Sequence, residues 1–324
     1  MRMTELTVAA TMYRAKFTKG FTTIPQNLQN PFPLIDIDCN LMHPDLTPPF
    51  PEILTHPSTI QSNIRNILSP SSTLAEAATL LGHLNTNKYS TIKTTIGIHP
   101  YSVPPLPQDL MAIESSILDL HSQNSAHVAA IGECGLDYSP SFPPSNLQIP
   151  IFELQVDIAC KLKTPLFVHT RLAHEDTLRI LDSRKSKLPK VVIHCFTGKI
   201  DELKDFVERG FYIGFTGFVL KPAGKEIYEN IRLVPDDRIM IETDAPYMGF
   251  KNCRKQFLMS EMASVMSAKE RKKLIGQTYP NTICSLVEVL KGVAEGRGLG
   301  VEEMARITTR NAAHFFEFKE MERN

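Results

Sequence analysis

Eight short apolar runs, each closing on polar or ionisable residues, limit what this chain can fold into. They are LIDID around Asp36, NIRNIL around Ile64, TTIGIH around Ile96, VAAIGE around Ile131, PLFVH around Val168, VVIH around Ile193, YIGFTG around Ile213 and IMIET around Ile241. Several are apolar nearly throughout, the pattern of strands buried on both faces of a parallel sheet. Helix-like stretches separate them, over residues 74–81, 109–120, 147–162 and 201–209, the last ending before Gly210. Strand and helix alternating at this pace predict βαβ units, and about eight of them predict a closed (β/α)8 TIM barrel. The barrel is expected to occupy residues 33–320 as a single domain. Beyond Asp244 the pattern turns helical, with outer helices expected over 271–292 and 301–316 and a loop over 247–259. The first unit is thin, because Pro44, Pro48, Pro49, Pro51 and Pro57 fall where its helix belongs. A proline inside a helix costs about 3 kcal/mol, so that helix is expected to be irregular or truncated.

Composition removes several function classes. With 42% apolar and 22% charged residues the chain is an ordinary globular one, neither disordered nor collagen-like. Thirty-five basic residues balance 35 acidic ones, so any nucleic-acid contact must come from a local patch. The six cysteines form no C-x-x-C pair, which argues against a cysteine zinc finger and for a reducing compartment. No apolar run approaches the roughly 20 residues that span a bilayer. Residues 1–32 carry Arg2, Arg14, Lys16 and Lys19, with Glu5 the only acid before Asp36. This arm reads as a flexible extension, favoured over an organellar transit segment of similar composition. The expectation is an intracellular monomer, in cytoplasm or nucleus.

In a barrel of this kind the active site lies at the C-terminal ends of the strands. The polar residues there are Asp36, Asp38 and Asn40; His99; Glu133 and Asp137; His169 and Arg171; His194; and Glu242 and Asp244. A single such histidine is usually a satisfied core or surface residue. Several at equivalent ends of different strands converge on one axis, which favours a shared site. Imidazoles and carboxylates can hold one or two divalent cations, and a shared carboxylate such as Glu133 can bridge a pair. A cation lowers the pKa of its water, and a nearby carboxylate can take the proton, so the set reads as hydrolytic. No dinucleotide fingerprint, phosphate-binding GxxxxGK[ST] loop or GxSxG elbow is present.

The motifs IGECGLDY (131–138), PLFVHTRLA (165–173), VVIHCFTG (191–198), YIGFTG (212–217) and IETDAPY (241–247) stand in this order. With GIHP at 97–100 and NAAHFF at 311–316, they resemble the TatD family of metal-dependent deoxyribonucleases from residue 34 to residue 316. The resemblance implies a metallo-dependent hydrolase barrel. It also implies magnesium-dependent hydrolysis of DNA phosphodiesters, often 3′ to 5′ exonucleolytic. By the same carry-over Glu133 bridges a metal pair and His169 and His194 bind the second metal. Asp244 binds the first metal or accepts a proton.

The first strand departs from the commonest family form, Asp-x-His-x-His. Here Asp36-Ile37-Asp38-Cys39-Asn40 lacks both histidines, leaving Asp36, Asp38 and Asn40 as first-metal or pocket candidates. An acid and an amide favour Mg²⁺, or Mn²⁺, over Zn²⁺. His99, Arg171 and Glu242 are candidate substrate contacts. His99 either lines the pocket or holds the loop at Pro100, and Arg171 faces either a phosphate or a neighbouring acid. Regular alternation puts Glu242 and Asp244 on one face and turns Cys134 and Cys195 away from the site. Lys199, Lys221, Lys251, Arg254 and Lys255 form a candidate basic rim, with Tyr138, Phe215 and Tyr247 as candidate base-stacking rings. The leading expectation is a DNA nuclease. A barrel hydrolase of amides, lactones or phosphoesters is the main alternative, and a binding protein without turnover is the third.

Overall fold

The computed structural model describes residues 30–86, 89–104, 109–261 and 267–319, so the question of tail or transit segment over 1–29 lies outside the described residues. Eight parallel strands lie side by side in sequence order: β1 (Leu34–Asp36), β2 (Ile64–Ser69), β3 (Ile92–Ile96), β4 (Val128–Asp137), β5 (Leu166–Arg171), β6 (Val191–Ile193), β7 (Tyr212–Phe215) and β8 (Ile239–Ile241). The two outer strands meet just beyond their regular ends. Cys39 bridges to Ala245, the Asn40 N–H donates to the Ala245 carbonyl at 2.9 Å, and the Asp244 N–H donates to the Asp38 carbonyl at 2.8 Å. The result is the expected TIM barrel, with every strand at an expected run.

The crossovers follow the chain's local chemistry. The first, thin in the sequence, holds a 3₁₀ turn (Glu52–Leu54) and a helix of only five residues, α1 (Pro57–Gln61). The next are α2 (Leu74–Leu84), capped by Thr73, and α3 (Leu110–Gln123), capped by Asp109. Then come α4 (Ser145–Leu162), α5 (His174–Asp182), α6 (Ile200–Glu208), α7 (Lys225–Asn230) and α8 (Lys255–Glu261). The stretch 271–292, expected as one helix, is instead divided between α9 (Ala268–Ile275) and α10 (Leu286–Arg297). Gly276 and Pro280 fall between them and stop the helix. The stretch 247–259, expected as a loop, ends inside α8. The last helix, α11 (Val301–Phe316), sends Phe315 and Phe316 into the barrel's inner core beside Phe167 and Tyr212. Lys93 Nζ and Lys190 Nζ donate to its final carbonyls, at Phe316 (2.9 Å) and His314 (3.0 Å), where the helix dipole favours cations.

Alternation sorts side chains into an inner layer, with Ile35, Phe167, Val192 and Met240, and an outer layer, with Leu34, Leu166, Val191 and Ile241. Asp36 shares the face of Leu34 rather than that of Ile35. It is fully buried and bolts the barrel seam. Its Oδ1 accepts from the Thr243 N–H (2.9 Å) and the Asp38 N–H (3.2 Å), and its Oδ2 accepts from the Thr243 hydroxyl (2.6 Å). This corrects the expectation that Asp36 serves the first metal or the pocket, because its oxygens are already engaged by the seam. Asp36→Ala leaves buried donors unpaired and is expected to destabilise the fold by about 2–4 kcal/mol, readable by urea denaturation. A loss below about 0.5 kcal/mol would remove the bolt from the account.

Candidate metal-dependent active site

The inner layer continues upward into the site by the same period of two. Above Phe167 stands His169, above Val192 stands His194, and above Met240 stands Glu242. The His194 ring rests 4.7 Å from that of Phe167. Glu133 reaches the same region by breaking the period. The pairing of β4 with β5 shifts between Ile131 and Cys134, and Gly132 there has φ +147°, which a side chain rarely adopts. The Glu133 N–H donates to the Ser71 carbonyl of the neighbouring loop at 3.2 Å.

Three imidazoles surround one oxygen of Glu133. Its Oε1 lies 2.7 Å from His194 Nε2, 3.1 Å from His99 Nε2 and 3.3 Å from His169 Nδ1. Two three-residue groups able to hold a cation result, His99–Glu133–His169 and Asp38–Glu133–His194, and Glu133 belongs to both. Burial works to raise the Glu133 carboxyl, yet His194 and His99 outweigh it and hold the group well below the usual range. Burial works to lower His194, and the charge of Glu133 with the bond to Asp38 raises it well above its usual value.

The acids opposite behave in the other sense. Burial, then its mutual repulsion with Asp244, raises Asp38 well above the usual range. Glu242 is pushed up to about 8 and Asp244 to about 6, in both cases chiefly by burial. Several buried carboxyls that cannot all ionise together, facing imidazole nitrogens, form a donor set suited to a divalent cation. Glu242 Oε1 lies 3.9 Å from His194 Nδ1 and adds a further acid beside this set. His99, Glu133 and His169 would hold one ion; Asp38, Glu133 and His194 would hold the other.

Supporting contacts orient these groups. Asp137 Oδ2 lies 3.0 Å from His169 Nε2, leaving Nδ1 toward Glu133. Arg171 Nε lies 3.0 Å from that same Asp137 oxygen and donates to Ser139 Oγ at 2.7 Å, so the neighbouring-acid reading describes it. His99 holds the loop, one of its two expected roles: its Nδ1 accepts from the Tyr101 N–H at 3.1 Å at the turn Pro100–Ser102, while Nε2 faces Glu133. Asn40 Nδ2 lies 3.3 Å from Asp38 Oδ1 and 3.2 Å from Asp244 Oδ1, clamping first-strand and last-strand carboxylates together.

Four expectations change. Cys195 does not turn away: β6 has ended, its φ is +45°, and its thiol lies 3.6 Å from Asp244 Oδ2. Glu242 is fully buried and accepts from the Cys195 N–H, which places it beneath the pocket rather than on its lining. A Cβ at Gly214 would lie 2.9 Å from Glu242 Oε1, so the glycine of YIGFTG makes room for this carboxyl. Phe215 is a buried core residue, and Arg254 is buried with Nη1 donating to Gln277 Oε1 at 3.0 Å, so neither serves the rim. Asp137 was visible as a strand-end acid, but its hold on His169 depends on the register that pairs Gly135 with His169.

A family model for TatD related DNases matches residues 35–317. The chain belongs to the TatD family. A 3′-5′ ssDNA/RNA exonuclease TatD of Shigella flexneri serotype 5b is 41% identical over 162 residues, an alignment that spans 50% of this chain and 60% of that protein. One from Salmonella typhimurium LT2 is 33% identical over 231 residues, 71% of this chain and 80% of that one. Among solved structures, YJJV, a TatD homolog of Escherichia coli K12, has a TM-score of 0.72 at 22% identity and covers 88% of this chain and 98% of its own. An uncharacterized amidohydrolase of Saccharomyces cerevisiae gives 0.70 at 21% identity, covering 88% of this chain and 100% of its own. These structures share the barrel. Among the described residues of this TatD chain, no helix is long and apolar enough to cross a membrane.

Proposed function

We propose that this chain hydrolyses DNA phosphodiester bonds with one or two divalent cations, removing nucleotides from the 3′ end. The observation that carries the reading is Glu133, one carboxylate shared by two potential cation sites at the barrel mouth. Family membership supports it, and the names of the exonuclease relatives support the polarity and a single-stranded substrate. A bound divalent cation supplies Lewis acidity to a phosphate oxygen and lowers the pKa of water from 15.7 towards about 7.

The chain's own groups do the rest. Glu133, His99, His169, His194 and Asp38 hold the ions, and Asp137 keeps the His169 ring in register. Asp244, with a carboxyl near 6, is placed to accept the proton of the attacking water. Asn40 holds Asp244 by its Oδ1, which leaves Oδ2 toward Cys195. Mg²⁺ is the proposed ion for the Asp38 group, where an acid rather than a second imidazole joins Glu133 and His194.

Incubation of end-labelled single-stranded DNA with Mg²⁺, Mn²⁺, Zn²⁺ or EDTA tests this reading. Progressive shortening from the 3′ end in Mg²⁺, abolished by EDTA, is expected. Intact DNA with every metal would overturn it and move the substrate outside nucleic acids.

A further inference from the structure

Two pairs of rings flank the cation sites, with Tyr101, Tyr247 and Tyr279 exposed and Phe142 half-buried. On the β3–β5 side, Tyr101 is 51% exposed and its ring lies 4.2 Å from that of His99, itself on Glu133. Phe142 stands 6.3 Å from Tyr101, and the Arg171 guanidinium lies 5.3 Å over the Phe142 ring. On the β8–β1 side, Tyr247 is 42% exposed and its backbone N–H donates to the Asp244 carbonyl at 2.6 Å. Its hydroxyl lies 2.8 Å from His43 Nε2, and its ring lies 6.3 Å from that of Tyr279. Tyr279 is 45% exposed and donates to Asp45 Oδ2 at 2.7 Å. The two groups thus adjoin the cation sites from different strand ends, Tyr101 through His99 and Tyr247 through Asp244.

Large rings left open to water at a catalytic mouth lose nothing by being covered. Those of Tyr247 and Tyr279 are fixed at their hydroxyls, so little freedom remains to be lost when a flat partner stacks on them. Every nucleobase offers such a flat face, but only after it has left a duplex stack. The phosphate of the same nucleotide would meet the cation sites between the two groups.

We infer that Tyr101 with Phe142, and Tyr247 with Tyr279, form a two-sided clamp for unpaired nucleobases on either side of the scissile phosphate. This rests on the nuclease reading and deepens it: the clamp selects strands whose bases are free. The sequence pointed to Tyr247 as well, but set it beside Tyr138 and Phe215 rather than Tyr101, Phe142 and Tyr279. Tyr138, however, is half-buried against the outer core, and Phe215 is core.

The test measures binding in Mg²⁺ of two fluorescein-labelled phosphorothioate 12-mers, one of thymidines and one of the same length made of abasic residues. The wild type is expected to prefer the thymidine strand by roughly tenfold or more, as base–aromatic stacking provides. Tyr101→Ala and Tyr247→Ala should each lose about tenfold on the thymidine strand and little on the abasic one. Tyr247→Phe, which keeps the ring, should recover most of that loss. Equal affinity of the wild type for the two strands, or no binding of either, would overturn the clamp. Base-selective binding beside a failure to cut ordinary DNA would uphold the clamp and overturn the nuclease reading. Cutting without base selectivity would do the reverse.

Discussion

Glu133→Ala is expected to lower DNA cleavage by on the order of a thousandfold, about 4 kcal/mol of transition-state stabilisation. The size follows from position. One carboxylate oxygen faces His99, His169 and His194 at 2.7–3.3 Å and belongs to both candidate cation groups. Its removal takes a donor from both at once, whereas loss of any one histidine takes a donor from one. The fold should survive, because the inner core below the site, from Phe167 to Phe316, does not depend on this carboxylate. Single-turnover cleavage, calorimetric titration with Mn²⁺ and circular dichroism check the three parts. A variant that cleaves within tenfold of wild type would remove Glu133 from the metal assignment.

Divalent metal is expected to raise the melting temperature by about 5–10 °C, and by more at pH 8 than at pH 6. Without metal, Glu242 titrates near 8 and Asp244 near 6, and burial is the leading cause for both. Asp36 is raised to about 7, again mainly by burial. These folded values lie above those of an unfolded chain, so the folded protein binds more protons between about pH 4 and 8. Their contribution to stability is therefore full below about pH 4 and is lost as pH rises towards 8. Glu133 works the other way: its value is lowered, so its contribution is present above the unfolded pKa and lost as pH falls. A cation needs Asp38 ionised and His169 and His194 neutral, and all three hold their protons more tightly than usual, so its affinity rises as protons leave. Scanning fluorimetry in Mg²⁺, Mn²⁺ or EDTA at both pH values reads the difference. A metal-induced rise equal at the two pH values, or larger at pH 6, would argue against a carboxylate-rich cation site.

The sequence carried the fold and named most residues of the candidate site, because both follow from short local patterns. Parallel strands buried on two faces must be apolar, so the runs ending at Asp36, Ser69, Ile96, Asp137, Arg171, Ile193, Phe215 and Ile241 were legible one by one. The prolines after Leu41 announced the five-residue α1 in the same way. His169 and His194 were readable because strict alternation holds along β5 and β6 and sets them above Phe167 and Val192. Reading failed where the backbone leaves that period. Positive φ at Cys195 turned a cysteine into the site.

What the sequence alone determined was therefore which residue types end the strands, and hence that a barrel whose mouth is able to hold a cation would form. What only the tertiary structure decided was which of those residues meet. Asp36 went to the seam, because Thr243 lies across it. Asp38 joined His194 and Glu133, and Tyr101 came to lie against His99. The physical reason is range. Periodicity and capping act over a few residues of one chain segment, whereas the register between strands and the closure of β1 on β8 join groups more than 200 positions apart, as Asn40 to Asp244 does with a separation of 204.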